Sequence, residues 1–288
     1  MSRQYKRDYE LIILPTDGEQ RTISDLRVRF DITKSVLSFP NLGKIEIYNP
    51  NQDTLSALQR KFTKVTLNAG YENNISLIFK GQVRNVLQSK VGVDRIITLY
   101  AGDGQRDWEN SRLNKTYSES VSVSTIVKEA IGTFKETVSG VIEGVPSVAD
   151  KLLGTTLSGS TKDILDSIAS EYNLEWSILD GEVNIAPAGS GISSFETTIV
   201  NATTGMIGSP TVTEIGADVT ILLNPNVKPK SLFKIESVNA DVKLGNLFFR
   251  DVKKTTAEGI YITQEVNYKG DSREGVWLAS LKGRRASA

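Results

Sequence analysis

The residues best spaced for chemistry in this sequence are four carboxylates. Asp163 and Asp166 lie three apart and Glu171 and Glu175 four apart, so a helix running through them would set each pair on one face. Two carboxylates about 5–10 Å apart are what glycoside hydrolysis needs. With Lys162 beside them, the plainer reading is a solvated helical surface. A second candidate is a serine–lysine dyad at Ser231 and Lys234. On a strand, residues three apart face opposite sides, so hydroxyl and amine would diverge. The chain has no histidine and no cysteine. A Ser-His-Asp triad, thiol catalysis, disulfides, iron–sulfur clusters and Cys/His zinc sites are therefore excluded by residue type. Gly189-Ser190-Gly191 lacks the third glycine and the strand-to-helix setting of a dinucleotide loop. No EF-hand alternation of acidic ligands occurs either. Trp108, Trp176 and Trp277 read as core anchors rather than as a sugar-binding platform. The expectation is a protein without catalytic, cofactor-binding or metal-binding residues.

Elements that would position such residues follow from periodicity. Leu26, Val28, Phe30 and Ile32 alternate with polar residues at the period of a half-buried strand. Ile45 and Ile47 repeat the pattern, as do Val65, Leu67 and Ala69, and strands are expected over 76–86 and 95–101. Leu55, Leu58 and Phe62 break it with a short helix over 51–62. The middle changes character. A helix is expected over 123–138, N-capped by Ser122, with Ile126, Val127, Ala130, Ile131 and Phe134 on one face. Ser160 opens a second helix through Ile164, Leu165, Ile168, Ala169 and Tyr172, ended by Asn173. Asp180-Gly181 between 174–179 and 182–186 is a strong hairpin signal. Gly140 to Gly159 reads as a mobile loop and Pro187 to Ser194 as a linker. Strands then return, ending in a hairpin about Gly270-Asp271.

Composition narrows the partners. At 288 residues and 39% hydrophobic, the chain can bury two or three cores. Thirty-four basic residues balance thirty-four acidic ones, and a nucleic-acid binder would show a basic excess. Lys282, Arg284 and Arg285 read as a frayed terminus. No segment approaches the ~18 continuous apolar residues of a membrane span. The basic start has no apolar stretch behind it, so no signal peptide is expected, and the Asn-X-Ser/Thr matches at Asn74, Asn114 and Asn201 carry no meaning as glycosylation sites.

The two β-rich regions also resemble each other. Thr33–Pro40 can be laid on Thr203–Pro210, and Leu77–Lys80 on Leu247–Arg250, both 170 residues apart. Tyr48-Asn49-Pro50-Asn51 matches Leu223-Asn224-Pro225-Asn226. Ile97-Thr98 with Gly102-Asp103 echoes Ile262-Thr263 with Gly270-Asp271. The architecture expected is one β-unit used twice with an α/β module between the copies.

Three sets of residues carry a likeness to a known family. The first is Val65–Tyr71, Ile78–Val83 and Tyr100–Gly104; the second is Asp163–Ile168, Leu174–Ile178 and Asp180-Gly181. The third is Thr204–Thr211, Leu222–Pro225, Phe233–Ser237, Tyr268–Asp271 and Trp277. Together they resemble the baseplate hub proteins of contractile-tailed bacteriophages, the tail protein D or late-control group. One departure is Lys230, where the family pattern has glycine after Pro229. The resemblance implies a mainly β (α+β overall) chain: tail-tube-like antiparallel β-barrel domains over 1–107 and 195–288, related by internal duplication, flank an α/β module over 108–194. It implies a homotrimer that presents six similar units around a lumen through which a genome can pass, so joining a threefold central spike to a sixfold tail tube or tube initiator. Other baseplate proteins are further implied partners. The expected location is the virion tail baseplate, and the host cytoplasm during assembly, with no membrane anchor and no sequence-specific nucleic acid. Two other readings are a tail-associated cell-wall hydrolase, which needs a convergent carboxylate pair, and a carbohydrate- or receptor-binding tail protein, which needs an exposed aromatic platform.

Overall fold

The computed structural model describes residues 6–72, 74–118, 121–147, 151–152, 156–213, 216–236, 241–242 and 257–286. The N-terminal part forms strands where polar and apolar residues alternate. These are β1 (Arg7–Leu14), β2 (Arg21–Ile23), β3 (Val28–Ser35), β4 (Leu42–Tyr48), β5 (Lys64–Tyr71), β6 (Asn74–Val91) and β7 (Asp94–Gly102). The expected short helix is α1 (Gln52–Leu58), capped by Asn51, whose side chain accepts the Thr54 amide at 2.8 Å. All pairings here are antiparallel, in the order β3-β4-β7-β6-β5-β1-β2.

A helix that periodicity did not reveal, α2 (Gln105–Asn110), leads into the middle module. This holds β8 (Arg112–Thr116), β9 (Val121–Ser122), α3 (Val123–Gly132), β10 (Val138–Ile142), β11 (Lys151–Leu152), β12 (Thr156–Ser160), α4 (Thr161–Glu171), β13 (Leu174–Leu179) and β14 (Glu182–Pro187). Its own core runs from Ile126 and Ile131 through Leu165 and Ile168 to Trp176 and Ile185. Ser122 caps α3 as expected. Asn173 follows α4 at φ 52°, the left-handed position of a helix C-terminus. Asp180 and Gly181 both have positive φ, the geometry of a two-residue hairpin turn.

Three expectations fail here. Helix α3 stops at Gly132 rather than Val138, because the amides of Lys135, Glu136 and Thr137, which would extend it, are donated instead to the buried Asp107 carboxylate at 2.7–3.0 Å. The stretch from Gly140 to Gly159 is not simply a mobile loop, although 148–150 and 153–155 lie outside the described residues. Strand β10 runs parallel to β14, and β12 pairs with β8. Gly140 is small because a Cβ there would sit 2.7 Å from Asn184 Oδ1. The Pro187–Ser194 linker is packed: Ile192 is buried and its amide donates to the Lys230 carbonyl at 2.9 Å.

The C-terminal part supplies β15 (Thr198–Val200), β16 (Met206–Val212), β17 (Gly216–Leu222), β18 (Leu232–Ile235), β19 (Asp241–Val242), β20 (Gly259–Asp271) and β21 (Trp277–Arg285). Its order, β16-β17-β21-β20-β18-β15, repeats β3-β4-β7-β6-β5-β1 position by position. The repeat holds at the level of single rungs. Leu42 opposite Gly102 corresponds to Gly216 opposite Arg284, and Lys64 opposite Gln82 to Leu232 opposite Ile262. Even the β-bulge recurs, between Val83 and Asn85 in one copy and between Thr263 and Glu265 in the other. One departure is the last strand, since β1 joins β5 antiparallel whereas β15 joins β18 parallel.

This register corrects the sequence matches. Thr33–Pro40 ends β3 and enters a turn, whereas Thr203–Pro210 begins in a short 3-10 turn and enters β16. Ile97 lies in β7, whose counterpart is β21, not the β20 that carries Ile262. Leu247–Arg250 lies outside the described residues. The Asn-Pro steps at 49–50 and 224–225 do fall at equivalent places, after β4 and β17. Nor is the basic tail frayed: Lys282, Arg284 and Arg285 lie in β21, and Lys282 pairs with Glu265 at 2.7 Å.

The two β units are fused. Strand β20 pairs antiparallel with β3 through seven rungs, Glu265 opposite Ser35 to Asp271 opposite Arg29, making one sheet of fourteen described strands. One apolar core spans both, from Leu11 and Phe79 to Phe233 and Tyr268. Across the joint, Trp277 donates its indole N–H to the Gly70 carbonyl at 3.0 Å and meets the Phe30 ring edge-on at 5.2 Å.

Candidate functional site

The sequence-predicted reactive residues do not converge. Asp163 and Glu171 are exposed on α4, and Glu175 lies on β13 rather than on the helix. Asp166 accepts the indole N–H of buried Trp176 at 2.7 Å, a structural task. Ser231 is buried and donates to the Lys228 carbonyl at 2.7 Å, while Lys234 reaches Glu236 at 2.8 Å. Of the tryptophans, Trp176 and Trp277 are buried; Trp108 is half-buried, with its indole N–H on the Ser38 carbonyl at 2.8 Å and Lys162 Nζ 3.6 Å from its ring centre. Asp166→Ala is expected to lower stability by about 1–2 kcal/mol, because a buried donor loses its acceptor. Asp163→Asn is expected to stay within about 0.5 kcal/mol. Urea unfolding compares the two, and equal losses would contradict these roles.

What the fold does bring together is a buried polar junction of its three parts. Lys34 on β3 points inward, with its Nζ 2.6 and 2.7 Å from the Asp180 carboxylate oxygens; the two side chains are 1% and 7% exposed. Asp180 is the tip of the β13–β14 hairpin. Asp103, at the end of β7, accepts the amides of Asp180 and, at 2.9 Å, Gly181. Asn41 completes the seat: its side chain donates to the Ile178 carbonyl at 2.7 Å and accepts the Ser35 amide. From the C-terminal unit, Tyr268 lays its ring 5.8 Å from Lys34 Nζ. The Lys34 ammonium is thus bonded to Asp180, while Asp103 lies behind it, holding the hairpin backbone. Burial, then the neighbouring Asp180, pushes the Asp103 carboxyl up to about 7, and burial raises the Tyr268 hydroxyl as well.

A second tie is Lys230. It takes the left-handed backbone, φ 68°, that glycine would occupy, and its buried side chain pairs with Glu175 of the middle module. The departure from the family pattern therefore keeps the turn and adds an ion pair. The signal for Lys34 was present in the alternation: Val28, Phe30 and Ile32 fix the inward parity, and Lys34 continues it.

These contacts lock the three parts together. Among the described residues, no group of three or more acidic side chains is placed to hold a metal ion. The surface instead carries two exposed apolar stretches. The β3–β4 turn exposes Leu37, Phe39 and Leu42, and the far half of the β6–β7 hairpin stands clear of the core with Leu87, Val91 and Val93 exposed.

The fold is that of phage tail proteins. The 43 kDa tail protein of prophage MuSo2 from Shewanella oneidensis superposes with a TM-score of 0.63 at 10% identity, covering 96% of this chain and 97% of that one. A tail protein of Neisseria meningitidis gives 0.62 at 10% identity, with 98% and 97% covered. The Escherichia coli c3393 protein, a type VI secretion component described as similar to phage T4 tail proteins gp27 and gp5, gives 0.58 at 9% identity over 91% of this chain and 74% of that one. No curated protein matches the chain. Residues 12–246 match the family model of the baseplate hub gp41, and the chain belongs to that family.

Proposed function

We propose that this chain is the hub subunit of a contractile-tail baseplate, three copies of which form a pseudo-sixfold ring between a threefold spike and a sixfold tube. The observation that carries the reading is the repeated strand order, matched rung by rung, which gives each chain two similar units. Three such chains offer six near-equivalent units while keeping true threefold symmetry. The units correspond to residues 1–107 and 195–288, with the middle module, 108–194, held against them by Lys34–Asp180 and Lys230–Glu175. The work is mechanical and needs no catalytic, cofactor-binding or metal-binding residue. The spike, the tube or its initiator, and neighbouring baseplate proteins are the partners, and the tail baseplate is the location, reached by assembly in the host cytoplasm.

Mass in solution, measured alone and with the spike protein of the same tail, tests this. Three chains per particle are expected in at least one of the two conditions. A single-chain mass in both would overturn the reading.

A further inference from the structure

We infer that the free edge of the β6 arm pairs antiparallel with β16 of the next copy of this chain, setting Val91 opposite Ile207 and Ser89 opposite Thr211. The inference rests on the ring reading above and adds which strands meet, and in what register.

Its first support is the edge that each unit leaves over. In the C-terminal unit, the start of β20 pairs with β18, and beyond its bulge the same edge, 265–271, pairs with β3. In the N-terminal unit, the start of β6 pairs with β5; beyond the equivalent bulge, the same edge over 84–91 has no strand partner among the described residues. Conversely, β3 has its outer edge covered by β20. Among the described residues, its counterpart β16 is met on that side only by β19, at Thr211 and Val212. Among the described residues, each chain thus keeps one open edge on β6 and one on β16 that β19 covers at two rungs alone, and head-to-tail repetition of the internal joint fills both.

The second support is chemical. In the internal joint, Lys269 faces Asp31, with Nζ 3.7 Å from Oδ2, and Asp271 faces Arg29, with Nε 3.5 Å from Oδ2. Carried through the repeat, these rungs become Ser89 against Thr211 and Val91 against Ile207. Both members of each pair differ together. One ion pair is replaced by two hydroxyls, and the other by two β-branched aliphatic side chains. Val91 is 63% exposed and Ile207 44%, an apolar pair that would cover itself across the new ladder. Exchanging joints would oppose Val91 to Arg29 or Asp271 to Ile207, so each edge rejects the wrong partner. Gly208, Ser209 and Pro210 form a bulge where Phe30 stands in β3, so the rungs at Ile207 and Thr211 anchor the ladder, and the two rungs of β19 give way to the arm.

The absence of native cysteine makes the register directly testable. Oxidising a mixture of the Val91→Cys and Ile207→Cys variants, with the spike protein if assembly requires it, is expected to link two chains, and the double variant to yield covalent trimers. Gln88→Cys paired with Ile207→Cys, three rungs away on the opposite face, should give none. Val91→Asp should cut the three-chain fraction at least tenfold at fixed concentration, and adding Ile207→Arg should recover most of it. A three-chain mass with no Val91–Ile207 link and no such rescue overturns the strand pairing and leaves the ring. A single-chain mass under all conditions overturns both.

Discussion

Lys34→Met should lower the unfolding free energy by about 3–5 kcal/mol, because it leaves the buried Asp180 carboxylate without its cation. Methionine keeps most of the volume, so the loss reports charge rather than a cavity. In an Asp180→Asn background, where asparagine tolerates the left-handed turn, the same change should cost markedly less. The deficit should also depend on pH. Asp103 holds its proton in the fold up to about 7, well above the value of an unfolded aspartate. A raised carboxyl contributes stability that is fully present below its unfolded pKa and is lost as pH rises through the folded one. Lys34 opposes that rise, so removing it makes ionisation of Asp103 harder still, and the deficit should widen from pH 5 to pH 8. Guanidinium unfolding of the four proteins across that range decides the matter. A loss below 1 kcal/mol, flat with pH, would refute this account of the Lys34–Asp180 pair.

Trp277→Ala should cost a comparable amount, about 3–5 kcal/mol, for a buried aromatic at the joint of the two β units. The change removes the edge-on contact with Phe30 and leaves the Gly70 carbonyl without its indole donor. Trp277→Phe should recover much of the loss, since it restores a ring but not the hydrogen bond. Gly270→Ala attacks the same place from the other side. Its Cβ would lie 2.3 Å from Phe30 Cζ and 2.7 Å from the Trp277 ring, so the joint must open to admit it. All three variants should unfold in one transition with the midpoint shifted. An unchanged midpoint for Trp277→Ala would mean that the joint adds nothing to stability.

Much of this was legible in the sequence. Two-residue alternation located β3 to β7 of the first unit but not β1 or β2, Ser122 and Asn173 marked helix ends, and Asp180-Gly181 marked the hairpin. The duplication was visible only in outline, because a comparison at fixed spacing cannot follow bulges and unequal loops. Leu42 corresponds to Gly216, Gln82 to Ile262 and Gly102 to Arg284, so the spacing grows along the chain. Helix α2 escaped because six residues give too little periodicity to register. The end of α3 was missed because a carboxylate distant in sequence, Asp107, claims the amides that local preference would assign to the helix. As for the site, the carboxylates spaced for chemistry in the sequence lie mostly on a helix surface. The charges that matter lie in the core, where a lysine in a strand is noticed only if the parity of its neighbours is followed one step further.

The ladder between β20 and β3 also settles how the molecule responds to torque. Two bodies joined by a flexible tether can swivel, and a twist applied to one is dissipated before it reaches the other. Here β20 is hydrogen-bonded along both edges, and its seven rungs with β3 lie in the interior of the sheet. Turning one half against the other would shear several of those bonds at once while dragging Trp277 off Phe30. No axis of easy rotation runs through the joint, so an angular displacement imposed on either half is passed on to the other almost undiminished.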